Sequence, residues 1–225
     1  MSETAGDGAG HGSIKAVLWD FGGVFTTSPF EAFARYEAEH GLPKDFLRGV
    51  NARNPDRNAW AAMERSEVST EEFDRLFREE SRAAGHEVPG RDVLALLSGD
   101  VRDEMVAALK VVAGRYRTAC ITNNMRMGHG PAMAGDAQKA ARITDILEIF
   151  EVVIESSKVG MRKPEPGIYE MACRALEVGP AEAVYLDDLG VNLKPARAMG
   201  MRTVKVAGVD QALGELEAIL GHGLR

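Results

Sequence analysis

The sequence predicts an α/β fold, a Rossmann-like parallel sheet flanked by helices, with an all-helical segment inserted near its start. Three observations lead there. Short apolar runs recur along the chain, each closed by polar or glycine residues. Helical periodicities separate most of these runs, the alternation that produces a parallel sheet covered on both faces. One interval of about seventy residues, far longer than a crossover needs, carries helical patterns of its own.

The first run, Ile14-Lys-Ala-Val-Leu-Trp19, ends at Asp20 and the pair Gly22-Gly23, as a buried strand opening into a loop does. The long interval follows. Phe30, Phe33, Ala34 and Glu37 have helical spacing, and Ser69-Thr-Glu-Glu72 is a capping box ahead of Phe73, Leu76 and Phe77. Val101, Met105, Leu109 and Val112 then mark a helix. Arg117-Thr-Ala-Cys-Ile-Thr122 is a second strand, ending at Asn123-Asn124. Met125 to Gly135, rich in Met and Gly, is expected to be a long loop near a strand end, either mobile or part of a substrate pocket. The third strand, Phe150 to Ile154, runs into Glu155-Ser156-Ser157. Ile168, Met171, Ala172, Ala175 and Leu176 repeat as a helix. Ala183-Val-Tyr-Leu186 ends at Asp187-Asp188, and Arg202 to Val206 ends at Ala207-Gly208. A last helix carries Leu213, Leu216, Ile219 and Leu220 and closes at Gly221. No internal repeat is present. The expected division is a disordered tail over residues 1–13, a core domain over 14–27 and 99–225, and a helical cap over 28–98.

Composition narrows the function classes. The 225 residues are 45% hydrophobic and 27% charged, an ordinary globular profile. A net charge of −7 argues against a generic nucleic-acid or anionic-membrane binder. No apolar stretch approaches the ~20 residues that span a bilayer. The opening MSETAGDGAGHGS has acidic residues and no apolar segment, unlike a signal peptide, and His11 within it is expected to be solvated. Cys120 and Cys173 fit no CxxC or zinc spacing; buried free thiols and a cytoplasmic location are expected.

Ligands of open parallel sheets bind beyond the carboxyl ends of the strands. The residues placed there are Asp20, Thr122, the loop leading to Lys163, and Asp187-Asp188. Three crowded acids repel one another and rise in pKa unless a cation joins them. Hard carboxylate oxygens with water completing the shell suit magnesium. A Lys and a Thr facing that ion then make sense as holders of a phosphoryl group. Singly, each residue has an ordinary reading: an Asp at a strand end is commonly a turn former, and Lys163 before Pro164 a solvated loop residue. It is their recurrence on successive strand ends that points to chemistry.

Four segments carry a family resemblance. Trp19-Asp-Phe-Gly-Gly-Val24, Ile121-Thr-Asn-Asn124, Val159-Gly-Met-Arg-Lys-Pro-Glu-Pro166 and Tyr185-Leu-Asp-Asp188 resemble, in order, the motifs of the haloacid dehalogenase superfamily of hydrolases. The strings Glu155 to Pro166 and Leu186 to Pro195 are most similar to the phosphatase domain found in soluble epoxide hydrolases, a branch of that superfamily. The resemblance runs from about Ile14 onward and is weakest in the helical interval and in Met125 to Arg142. It implies that Asp20 attacks phosphorus and becomes a phosphoaspartate. It also implies that Thr122 binds a phosphoryl oxygen, that Lys163 neutralises nucleophile and phosphate, and that Asn123 orients the phosphate or leaving group. Asp20, Asp188 and the Gly22 carbonyl would hold magnesium, with Asp187 in support, and the helical interval would be the cap.

One position departs from the family. Its phosphatases carry a second Asp two residues after the nucleophile, as acid for the leaving alcohol and base for the attacking water. Here that residue is Gly22. General acid catalysis is worth ~10²–10⁴-fold, so ordinary phosphomonoester hydrolysis is expected to be impaired unless another group substitutes. His129, in the Met125–Gly135 loop, is expected to be a surface residue instead. Glycine at 22 also has a purely conformational reading, a tight turn that uses its wide φ range. Three functions follow from the sequence: a magnesium-dependent hydrolase of a small phosphorylated metabolite, a metal-independent dehalogenase-like hydrolase, and a catalytically weak binding or regulatory protein. The Asp187-Asp188 pair argues against the second, and Gly22 keeps the third open.

Overall fold

The computed structural model describes residues 13–125 and 137–225. Five strands, β1 (Ala16–Trp19), β2 (Arg117–Thr122), β3 (Val152–Glu155), β4 (Ala183–Asp187) and β5 (Arg202–Lys205), form one sheet in the order β3-β2-β1-β4-β5. All pairings are parallel, and β1 lies at the centre between β2 and β4. Side chains alternate faces along a strand, so each strand feeds two cores. Val17 and Trp19 of β1 point into the core shared with α6 (Asp103–Ala113), α7 (Ala137–Leu147) and α11 (Val209–Leu220). Ala16 and Leu18 point into the opposite core, against α9 (Pro166–Ala175) and α10 (Gly190–Ala198), while the one-turn helix α8 (Ser156–Val159) follows β3. Burial on both faces explains why these strands read as continuous apolar runs in the sequence.

Between β1 and α6 the chain forms five helices: α1 (Pro29–Glu39), α2 (Phe46–Asn51), α3 (Ala59–Glu64), α4 (Thr70–Ala83) and α5 (Gly90–Ala95). They enclose a third core, centred on Phe33, Leu47, Phe73 and Phe77 and joined by Met125 from the end of β2. Ser69 caps α4 as expected, its hydroxyl accepting from the Glu72 amide at 3.2 Å. The Glu72 carboxylate accepts from Arg75, and so turns along the helix face. Two chain segments tie the base of this helical insertion. The Thr27 amide donates to the Asp100 carbonyl at 2.8 Å, the Asp100 amide donates to Thr27 Oγ1 at 3.0 Å, and Thr26 bridges Val101. Gly99 approaches so closely that a Cβ there would lie 2.5 Å from the Thr27 carbonyl. Val101, expected within a helix, is extended instead, because this bridge commits its backbone; α6 begins two residues later.

The expected tail over residues 1–13 lies, apart from Ser13, outside the described residues, as do His129 and nearly all of the Met125–Gly135 loop. Among the described residues, no helix is long and apolar enough to cross a membrane.

Candidate active site

The central strand β1 leads directly into Asp20. Its amide continues the ladder, donating to the Leu186 carbonyl at 2.8 Å, and its Oδ1 accepts from the Phe21 amide at 2.6 Å. The chain then turns through Phe21–Phe25. It is Gly23, with φ of 73°, that adopts the left-handed conformation, and a Cβ there would overlap the Asp188 carboxylate. Gly22 is not among the residues of positive φ, and a Cβ built on it meets nothing within 4 Å. The conformational reading of Gly22 is thereby corrected: its neighbour makes the turn, and position 22 faces open space.

Lys163 is 1% exposed, and its ammonium lies 2.6 Å from Asp20 Oδ1 and 2.9 Å from Asp187 Oδ2. Burial disfavours its charge, but Asp187 and Asp20 more than offset that and hold its pKa above the ordinary lysine value. Burial drives Asp20 the other way, well above the usual carboxylate range, against the pull of Lys163. Asp187 is fully buried. Its Oδ1 accepts from the Leu189 amide at 2.7 Å, its Oδ2 from the Tyr185 hydroxyl at 2.5 Å, and Asn192 Nδ2 lies 3.1 Å from both oxygens. Asp188 faces the opening, where Ser28 donates to its Oδ2 at 3.4 Å. Burial first, and Asp187 second, push its pKa up to about 6. Asp20, Asp187 and Asp188 can each offer an oxygen within 4.8 Å of the others.

Thr122 ends β2, buried at the floor of the same site. Asn123 lies beside it, but its amide brackets the Lys163 backbone. Oδ1 accepts from the Lys163 amide at 2.8 Å, and Nδ2 donates to the Lys163 carbonyl at 3.0 Å. A cavity of about 540 Å³ opens above these residues. Its floor includes Asp20, Gly22, Thr122, Lys163 and Asp188, and its far wall is built from the insertion by Phe30, Phe33 and Trp60. Glu64 and Arg162, paired through Oε2 and Nε, also line it. Cys120 and Cys173 are both buried free thiols.

The structure thus brings together Asp20, Gly22, Thr122, Lys163, Asp187 and Asp188, and turns Asn123 toward the lysine backbone. Sequence reasoning missed Tyr185, Asn192, Ser28, Glu64 and Arg162. Asn192 had a signal, a polar residue on the first turn of the helix after the acid pair; Tyr185 reads as core in any strand pattern.

Comparison with known proteins agrees with this architecture. Residues 14–200 match the model of the haloacid dehalogenase-like hydrolase family. The chain is 30% identical over 220 residues to Bifunctional epoxide hydrolase 2 of Mus musculus, covering 93% of this chain and 39% of that protein. It spans only 20% to 39% of the length of the first mammalian relatives it matches. It is 27% identical to the Validoxylamine A 7'-phosphate phosphatase of Streptomyces hygroscopicus subsp. limoneus, over 92% of each chain. A haloacid-dehalogenase-family enzyme of Bacteroides thetaiotaomicron, solved with magnesium and inorganic phosphate, shares the fold. Its TM-score is 0.53 at 19% identity, over 86% of this chain and 94% of that one. With phosphatases among its relatives and an acidic cluster at the carboxyl edge of its sheet, the chain belongs to the haloacid dehalogenase-like hydrolases.

Proposed function

We propose that the protein is a magnesium-dependent hydrolase of a small phosphorylated metabolite, working through an aspartyl-phosphate on Asp20. The observation that carries this reading is Lys163, buried with its ammonium between Asp20 and Asp187 at a site that also holds Asp188. One ammonium among three carboxylates leaves negative charge uncompensated, and a set of hard oxygen donors fits a small divalent cation. Asp20, Asp188 and the Gly22 carbonyl would hold the ion, with Asp187 behind them fixing the lysine. Magnesium, when bound, supplies positive charge against the oxygens of the phosphoryl group.

Asp20 attacks phosphorus, the bond to the leaving oxygen breaks, and that oxygen takes the electron pair. Lys163 and the Thr122 hydroxyl hold the phosphoryl oxygens, while Asn123 keeps Lys163 in place. Water then attacks the phosphoaspartate, releasing phosphate and the Asp20 carboxylate. With Gly22 in place of the acid, leaving groups that need no proton are favoured, such as acyl phosphates or p-nitrophenyl phosphate. Residues 28–98 act as the cap that selects the substrate and excludes water. The phosphatase names among the relatives support this reading, and the buried free thiols suit a cytoplasmic protein.

The decisive experiment is a phosphoester and 2-haloacid panel, with and without magnesium, beside Asp20→Asn. Magnesium-dependent phosphate release that the variant lacks is expected. Metal-independent halide release would establish dehalogenase-like chemistry instead, and ligand binding without turnover would establish a binding protein.

A further inference from the structure

Glu64 ends α3 of the insertion, in a stretch otherwise apolar, and is 6% exposed. Four bonds radiate from it. Its Oε1 accepts from the Trp60 indole at 3.0 Å, and its Oε2 is paired with Arg162 Nε. The same Oε2 lies 3.3 Å from Asn123 Nδ2, and its carbonyl accepts from the Ser156 hydroxyl at 2.8 Å. Both Arg162 and Asn123 lead directly to Lys163: one precedes it in the chain, the other clamps its amide and carbonyl. A continuous path therefore runs from the insertion, through Glu64 and Asn123, to the ammonium that touches Asp20.

We propose that Glu64 is a positioning residue for Lys163, so that seating the insertion and placing the ammonium against Asp20 are one event. This rests on the phosphoryl-transfer reading above and extends it to a residue that touches none of the reacting atoms. A buried carboxylate and guanidinium must satisfy each other, since leaving either unpaired is costly. When α3 lifts, Arg162 loses its partner and Asn123 loses the carboxylate that orients its amide. The lysine backbone then has fewer fixed contacts, at a site where a displacement of about 1 Å can cost ~10²-fold in rate. An open insertion accordingly leaves Asp20 with a poorly placed lysine, and the nucleophile is completed only under a closed roof.

A second tie between insertion and core supplies the control. Arg65 pairs with Glu165 at 2.7 Å; that carboxylate also accepts from the Arg162 amide at 3.4 Å, a contact Arg65→Ala leaves in place, and the pair touches neither Asn123 nor the lysine ammonium. The experiment measures acid-stable phosphoenzyme formation from acetyl phosphate by rapid quench in the wild type, Glu64→Gln and Arg65→Ala, together with kcat, KM, magnesium affinity and Tm. Glu64→Gln should slow phosphoenzyme formation about 10- to 100-fold, with KM and magnesium affinity nearly unchanged. Arg65→Ala breaks a more exposed pair, so it should cost less stability and keep kcat within about twofold. If Glu64→Gln does not fold, Trp60→Phe removes one of the bonds that hold the carboxylate and should slow the same step by a smaller factor. Equal rate losses in Glu64→Gln and Arg65→Ala, or no loss in Glu64→Gln, would overturn the positioning role while leaving the phosphoryl chemistry intact. A wild-type protein that forms no phosphoenzyme with any acyl phosphate would overturn the functional reading and this inference with it.

Discussion

Replacing Asp188 with Asn should make the metal-free protein more stable while destroying the proposed metal site. Asp188 carries its charge at a cost, because burial and the neighbouring Asp187 push its pKa from 3.8 up to about 6. At ~1.36 kcal/mol per unit, that rise corresponds to a ceiling of about 3 kcal/mol at neutral pH. The side chain faces the cavity mouth and Ser28 donates to it, so solvent screening and the lost hydrogen bond reduce the recoverable part to roughly 1–2 kcal/mol. The folded-state pKa lies above the unfolded one, so the folded state binds the extra proton. Wild-type stability therefore falls as pH rises from about 4 to 6 and levels off above that, whereas the variant lacks this contribution. Thermal unfolding in EDTA at pH 7.5 should place the variant about 2–8 °C above the wild type, and the gap should shrink by pH 4.5. Saturating magnesium should reverse the ranking, since an ion at a hundred times its Kd stabilises only the wild type, by ~2.7 kcal/mol. A variant at or below the wild type in EDTA at pH 7.5, or one still stabilised by magnesium, would refute the reasoning.

Gly23→Ala should be far more disruptive than its size suggests, because the backbone there has φ of 73° and the new methyl group overlaps the Asp188 carboxylate; calorimetry should show magnesium affinity lost and stability reduced by at least ~1–2 kcal/mol. Gly22→Asp should fold normally, since its Cβ enters open space, and alkyl phosphatase rates should rise by up to ~10²–10⁴-fold. Equal alkyl phosphatase rates in the wild type and that variant would show that another residue already supplies the proton. Cys120 and Cys173 should resist thiol reagents until the protein unfolds, because burial raises both thiols above their ordinary pKa; labelling of the native protein within minutes would contradict their burial.

The parts legible in the sequence share a physical reason. A strand buried on both faces is an apolar run, and its carboxyl end is where polar residues resume, so Asp20, Thr122 and Asp187-Asp188 stand out by position alone. The sheet and its sequence of strands follow from the same signal. Other elements were hidden because their cause is nonlocal. Val101 has helical spacing with Met105 but is held extended by Thr26, a partner 75 residues earlier. Helix α10 buries little beyond Leu193 and Ala196 and carries an internal Pro195, so its periodicity is faint. Glu64 and Arg162 meet across 98 residues and leave no periodic trace. Gly22 and Gly23 are indistinguishable as letters; only the carboxylate of Asp188 shows which one must lack a side chain.

The paired stems at the base of the helical insertion make it a cassette. Thr27 and Asp100 are already held in hydrogen-bond register, so whatever lies between them begins and ends at one point on the sheet layer. Closing a loop between such anchors depends only weakly on its length, with each doubling costing about 0.6 kcal/mol. A two- or three-residue turn, or the helical roof of a relative, could therefore be spliced between these residues with the strand ladder undisturbed. Gly99 should travel with the sheet side of the cut, because its closeness to the Thr27 carbonyl belongs to the frame rather than to the cargo. On the proposed reading, specificity can be rebuilt by exchange of a whole module that keeps a carboxylate where Glu64 meets Arg162 and Asn123, while Asp20 and Thr122, at the strand ends, stay outside the exchange.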